Sequence, residues 1–151
     1  MKKEQKEQEL FLKNNEAYID ANLFIYASTD LKKEGDNARK IIDLIKKKEI
    51  SIFTATLTID EILWAIQKKK NKETAYQLAL LILEMPQLKF IPVDIEIIRS
   101  SINIYKKENL HPRDAIHLAA MQSKNIKAII SSDPDFDKIK DIKRIDFVYW
   151  D

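Results

Sequence analysis

Apolar residues recur with helical spacing in three stretches: Ile41, Ile42, Leu44 and Ile45; Leu57, Ile59, Ile62, Leu63 and Ile66; and again through 75–83. Steps of three and four place such residues on one face of a helix, so these stretches predict helices with one buried side. Two more helices are predicted over 94–109 and 112–124, the second opened by His111-Pro112, where proline suits the first helical position. Short apolar or β-branched runs at 17–20, 50–53 (ISIF), 89–93 (KFIPV), 127–131 (KAIIS) and 145–149 (IDFVY) predict strands, several of them buried on both faces. The alternation of the two kinds implies an α/β fold, a central mostly parallel sheet flanked by helices on both faces. In such sheets ligands bind beyond the carboxyl ends of the strands, where the strand order reverses, so acids at those ends count for more than acids elsewhere.

The chain has 151 residues and is 45% hydrophobic, enough for one domain with a sizeable core, expected over residues 16–151. Residues 1–15 are rich in lysine and glutamate, with only Leu10, Phe11 and Leu12 to bury, and are expected as a polar extension, frayed or marginally helical. MKKEQKEQEL is too polar for the apolar core of a signal peptide, and no apolar run approaches the ~20 residues of a membrane span. A soluble, cytoplasmic protein is expected. The absence of cysteine excludes disulfides, thiolate zinc sites and a cysteine nucleophile, and with two histidines any metal site must rest on carboxylates. The single glycine, Gly35, excludes both a P-loop and a GxGxxG turn, each of which needs several.

Four acids then draw attention. Asp20 interrupts the apolar run YIDANLFIYA at the end of the first predicted strand. It either caps the helix that follows or has a use that offsets the cost of burying a carboxylate. Asp133 ends another strand in IISSDPDF and is equally placed to cap a short helix through Lys138; Asp135 and Asp137 read as first-turn acids favoured by the helix dipole, or as the border of a site. Asp114 opens HPRDAIHLAA, on a stripe continued by His117, Leu118 and Met121 that is ill suited to water. Glu61 in TLTIDEILWAI is flanked by Ile62 and Leu63, and Asp60 points about 100° away around the helix, so only one of the two faces a given site.

A parallel fold can bring these four points to one sheet edge, where they would repel one another unless a cation held them. Hard oxygen ligands suit Mg²⁺ or Mn²⁺, which lower the pKa of a bound water and stabilise charge on a phosphodiester. With the four acids set aside, 26 basic residues face 20 acidic ones, a balance of +6. Lysines cluster at 46–48 and 68–70, as a nucleic-acid groove or an ordinary solvated helix end would have them.

The blocks YIDANLFIYA, TLTIDEIL, HPRDAIHLAAMQ and AIISSDPDF, in this order and spacing, resemble the four motif blocks of the PIN domain from about Tyr18 onward. The similarity is strongest to the single-domain PIN ribonucleases, among them the VapC toxins of toxin–antitoxin pairs. The resemblance implies a metal-dependent endoribonuclease acting on single-stranded RNA, with Asp20, Glu61, Asp114 and Asp133 binding one or two divalent ions. Asp20 and Asp114 are expected to hold the principal ion, and Glu61 and Asp133 to bind through water or to complete a second. It further implies that Ser131, where threonine is more common, orients a ligand or a water, and that Asn22 braces the site. Arg113 is expected either to touch a substrate phosphate or to lie solvated. His117 is expected to support Asp114 or to pack internally. An RNA substrate, an antitoxin protein and a homodimer through the apolar YQLALLILEM are the expected partners. The competing readings are a non-catalytic interaction module of the same fold and an RNA-processing nuclease without an antitoxin. A haloacid-dehalogenase-type phosphatase is disfavoured, because Asn22 stands where its second Asp is required.

Overall fold

A computed structural model of the chain describes residues 3–150. The expected extension over 1–15 and domain over 16–151 therefore each include positions outside the described residues: 1 and 2 in the first, 151 in the second. Five strands, β1 (Ala17–Ile19), β2 (Ile52–Ala55), β3 (Leu88–Ile91), β4 (Ala128–Ile130) and β5 (Lys143–Ile145), form a sheet in the order β3-β2-β1-β4-β5. Every pairing is parallel, with Ile19 opposite Ile130 and Tyr18 opposite Phe53. The chain steps outward from β1 to β3, then returns to the other side of β1 for β4. The strand order thus reverses between β1 and β4.

Seven α-helices among the described residues cover the sheet: α1 (Lys3–Asn14), α2 (Ala21–Thr29), α3 (Lys33–Lys47), α4 (Leu57–Lys69), α5 (Lys72–Leu83), α6 (Ile95–Glu108) and α7 (Pro112–Ser123). Strand side chains alternate between faces, and the buried clusters follow that alternation. Ala17, Ile19, Ala128 and Ile130 pack with Leu23, Ile41, Ile62 and Ile82 from α2 to α5 on one face. Tyr18 and Ile129 pack with Ile97 of α6 and Ala119, Ala120 and Met121 of α7 on the other. The result is three layers, as the hydrophobic pattern predicts.

Two local differences have physical causes. The strand predicted over 145–149 lies instead at Lys143–Ile145 and shares only Ile145 with the prediction, because the Asp146 side chain accepts a hydrogen bond from the Val148 amide at 3.0 Å and turns Phe147–Tyr149 into a 3-10 helix. Of the two expectations for the amino-terminal segment, the structure has a helix: α1 inserts Leu12 into the same core as Trp150, and Lys143 Nζ lies 4.0 Å from the Phe11 ring centroid. No helix among the described residues is long and apolar enough to cross a membrane.

Candidate active site

Asp20 and Ser131 are the first residues beyond β1 and β4, side by side at the point where the strand order reverses. The ladder fixes both: Asp20 N–H donates to Ile130 C=O and Ser131 N–H to Ile145 C=O, each at 3.1 Å. A hydroxyl has one proton and two lone pairs, and Ser131 uses all of them. Its Oγ donates to Asp20 Oδ2 at 2.6 Å and accepts from Asn22 Nδ2 at 3.2 Å and from the Asp133 amide at 3.0 Å. Asp20 stands at the N-cap position of α2 but makes no side-chain cap bond, so the cap alternative does not describe its carboxylate. Asp133 does cap: its Oδ1 accepts from the Asp135 amide at 2.9 Å, opening the 3-10 helix Pro134–Lys138.

A second buried chain holds Glu61. It sits on α4, whose start follows β2, and its Oε1 accepts from Nε2 of the fully buried His117 of α7. On the other ring nitrogen, His117 Nδ1 is 2.6 Å from the Tyr18 hydroxyl, which itself accepts from the Ala55 amide at 3.0 Å. In a neutral imidazole this leaves the Tyr18 proton for Nδ1 and the ring proton for Glu61. Of the two expectations for His117, the structure has internal packing; its ring nitrogens meet Tyr18 and Glu61, so the carboxylate it supports is Glu61 and not Asp114. Burial presses the imidazolium form of His117 down, but the Glu61 hydrogen bond and the charges of Asp20, Glu61 and Asp114 outweigh it and hold its pKa above the ordinary value.

Asp114 reaches the same place from the first turn of α7, whose N-cap is His111 and whose first residue is Pro112. Burial, then the charges of Asp133, Asp20 and Glu61, push its carboxyl up to about 6, against a smaller opposing pull from His117. Asp20 is raised as well, first by burial and further by Glu61 and Asp133; His117 and the Ser131 hydroxyl partly counter this. These two shifts place Asp20 and Asp114 within electrostatic reach of each other's neighbours Glu61 and Asp133.

Among the described residues, Asp114, Asp133 and Asp135 form the carboxylate group that could hold a metal ion, each offering an oxygen within 4.8 Å of the others. Asp20 and Glu61 flank that group rather than belong to it. Asp135 was legible only as a first-turn acid or a site border, and its signal is the Asp-Pro-Asp spacing that folds it back beside Asp133. Tyr18 and Arg144 were missed. Arg144 donates to the Ser131 carbonyl at 3.1 Å and pairs with Asp137 at 2.8 Å and Asp146 at 2.7 Å, tying the Asp133 loop to β5. Arg113 lies exposed beside Trp64.

The donor set fits a hard divalent cation: the three clustered ligands are all oxygen, and of the two imidazoles nearby, His117 is engaged on both nitrogens while His111 stands at the N-cap of α7 beside Asp135. Asn22 Oδ1 adds a buried oxygen with no hydrogen-bond partner among the described residues.

Acids arriving from two strand ends and two helices at the reversal point of a five-stranded parallel sheet define a class, and a family model identifies it. The PIN domain model matches residues 17–142, and the chain belongs to the PIN domain family. Among characterised proteins it is similar to Ribonuclease VapC2 of Methanocaldococcus jannaschii, 29% identical over 92% of this chain and 95% of the relative. Its fold is similar to that of Mycobacterium tuberculosis VapC20, a Sarcin-Ricin loop cleaving toxin, with a TM-score of 0.69 at 14% identity over 80% of this chain and 92% of that one. It is similar too to VapBC2 of Rickettsia felis bound to a promoter DNA fragment, with a TM-score of 0.65 at 15% identity over 86% of this chain and 97% of that one.

Proposed function

We propose that this protein is a metal-dependent endoribonuclease that hydrolyses phosphodiester bonds in single-stranded RNA, and that it is the toxin of a toxin–antitoxin pair acting in the cytoplasm. The observation that carries the reading is the convergence of Asp20, Glu61, Asp114 and Asp133 at the β1/β4 reversal point, with the Asp114 carboxyl pushed up to about 6 by burial and by its acidic neighbours. The similarity to a VapC ribonuclease over nearly the whole chain points the same way.

Asp114, Asp133 and Asp135 would hold Mg²⁺ or Mn²⁺, with Asp20 and Glu61 adding charge from either side. Bound there, such an ion would supply charge stabilisation at the phosphate and acidify a bound water. The chain's own work is orientation. Ser131 fixes Asp20, Asn22 and the Asp133 amide through one hydroxyl, and His117 fixes Glu61 from within the core. Being fully buried, His117 is a positioning residue rather than the group that takes a proton from water.

Tyr76, Leu80, Leu81 and Leu83 of α5 remain exposed, and a second copy of the chain or an antitoxin is proposed to cover them. Chelation tests the activity. Cleavage of single-stranded RNA should stop when divalent ions are removed and return with Mg²⁺ or Mn²⁺; cleavage by pure protein in chelator would overturn the metal role, and a metal-loaded protein that cuts no RNA would overturn the nuclease.

A further inference from the structure

Trp64 lies one turn beyond Glu61 on α4 and is 47% exposed, an unusual place for an indole beside a cluster of carboxylates. Two cations attend it. Lys68 Nζ, one turn further along α4, is 3.7 Å from the ring centroid, and the guanidinium carbon of Arg113, the residue before Asp114, is 5.7 Å from it. The indole therefore bridges the two helices that deliver Glu61 and Asp114. An acidic site repels a polyanion, so a phosphodiester substrate needs cations on its flank. Here the fold sets two of them on a half-exposed indole, with Lys68 against the ring face. A base that takes that face frees the Lys68 ammonium for a phosphate, the combination that single-stranded nucleic acids use, with bases stacked on rings and phosphates on Lys and Arg.

We propose that Trp64, Lys68 and Arg113 form a nucleotide subsite next to the acid cluster, in which the unpaired base beside the scissile phosphate stacks on Trp64 while Lys68 and Arg113 contact the flanking phosphates. The subsite deepens the nuclease reading and rests on it for the position of the cut. A paired base cannot enter, because its face is already stacked in the helix.

Tryptophan fluorescence tests this directly, since the other tryptophan, Trp150, is 2% exposed. A short single-stranded oligoribonucleotide of mixed sequence, added in chelator to prevent turnover, should quench the emission saturably, and the same sequence as a duplex should not. Trp64→Phe should keep the binding and lose the quench. Trp64→Ala should weaken binding about thirtyfold, a middle value for loss of one stacked base, and raise KM by the same factor at unchanged kcat. Equal quenching by duplex, or unaltered binding and KM in folded Trp64→Ala, would overturn the subsite. Quenching by single strands with no cleavage in Mg²⁺ would remove the nuclease and leave the subsite standing. Cleavage without quenching would do the reverse.

Discussion

Asp20→Asn separates charge from shape at the centre of the site. Asp20 is 6% exposed, and its Oδ2 receives the Ser131 hydroxyl at 2.6 Å. Asparagine fills the same volume, its carbonyl oxygen can accept the same proton, and it caps helices as well as aspartate does. What disappears is one buried negative charge, with consequences of opposite sign. Without metal, the neutral amide is relieved of the burial that holds the Asp20 pKa up and of repulsion by Glu61 and Asp133. The chelated variant should therefore melt higher than the chelated wild type, by about 2–4 °C for each kcal/mol recovered in a domain of this size. With metal, the ion loses an anionic neighbour. If that neighbour contributes about 2.7 kcal/mol to the transition state, cleavage falls about 100-fold. Single-turnover cleavage of a single-stranded RNA pool gives the second number, and thermal melts with and without Mg²⁺ give the first. A folded Asp20→Asn that cleaves as fast as wild type and gains the same melting shift from Mg²⁺ would refute the role of this charge.

Ser131→Ala deletes the hydroxyl that joins Asp20, Asn22 and the Asp133 amide; leaving buried partners unsatisfied costs about 1–3 kcal/mol, so both melting temperature and cleavage should drop, and an unchanged rate would show that the hub is not needed for activity. Gly35→Ala would place a Cβ 2.0 Å from the Asp30 carbonyl oxygen, a backbone atom that cannot swing aside. The overpacking should cost about 1–3 kcal/mol, visible by calorimetry, and an unaltered transition would mean that α3 slides freely. The pH dependence of the chelated protein follows from Asp114, whose carboxyl stands at about 6 in the fold against an ordinary 3.8. Between those values the folded state binds more protons than the unfolded one, so this group's contribution is favourable at low pH and is lost as pH rises through about 6. Chelated protein should therefore lose melting temperature relative to Mg²⁺-loaded protein over that window; parallel curves would show that Asp114 does not face the ion.

The layering was legible because β1, β4 and their neighbours are short apolar runs whose alternate residues both need cover, and because α4, α6 and α7 carry unbroken helical spacing. Strand ends were less legible: Ile145 to Tyr149 is apolar enough to continue β5, and only the side-chain bond from Asp146 to the Val148 amide ends it. At the site, residue type and position along the chain were enough to single out Asp20, Glu61, Asp114 and Asp133 as candidates, while Ser131 came only with the family resemblance. They were not enough to show which atoms touch. That His117 serves Glu61 rather than Asp114 depends on how α4 and α7, packed on opposite faces of the sheet, meet beyond the strand ends, a placement no local pattern encodes. Arg144 escaped notice for the same reason, since its partners are Asp137, Asp146 and the Ser131 carbonyl.

The partners of the acids divide them into two kinds, and the division marks the site independently of any relative. Asp135 and Asp137 have permanent cations, Lys138 and Arg144, whose hydrogen bonds hold their carboxyls below the usual range. Asp20 and Asp114 are held above it, with burial the largest cause and other carboxylates adding to it. A fold that needed only to satisfy its inner acids would turn Lys138 or Arg144 toward them, since Lys138 closes the 3-10 helix that Asp133 opens and Arg144 lies on the neighbouring β5. Instead Asp20 is fixed by a neutral hydroxyl and Glu61 by an imidazole whose raised pKa favours a single positive charge, one cation among four carboxylates. The geometry is thus completed inside the protein while the electrostatic balance is not. Asp135, which has both a lysine and two acidic neighbours within 4.8 Å, stands at the boundary where an incoming cation would compete with Lys138 for it.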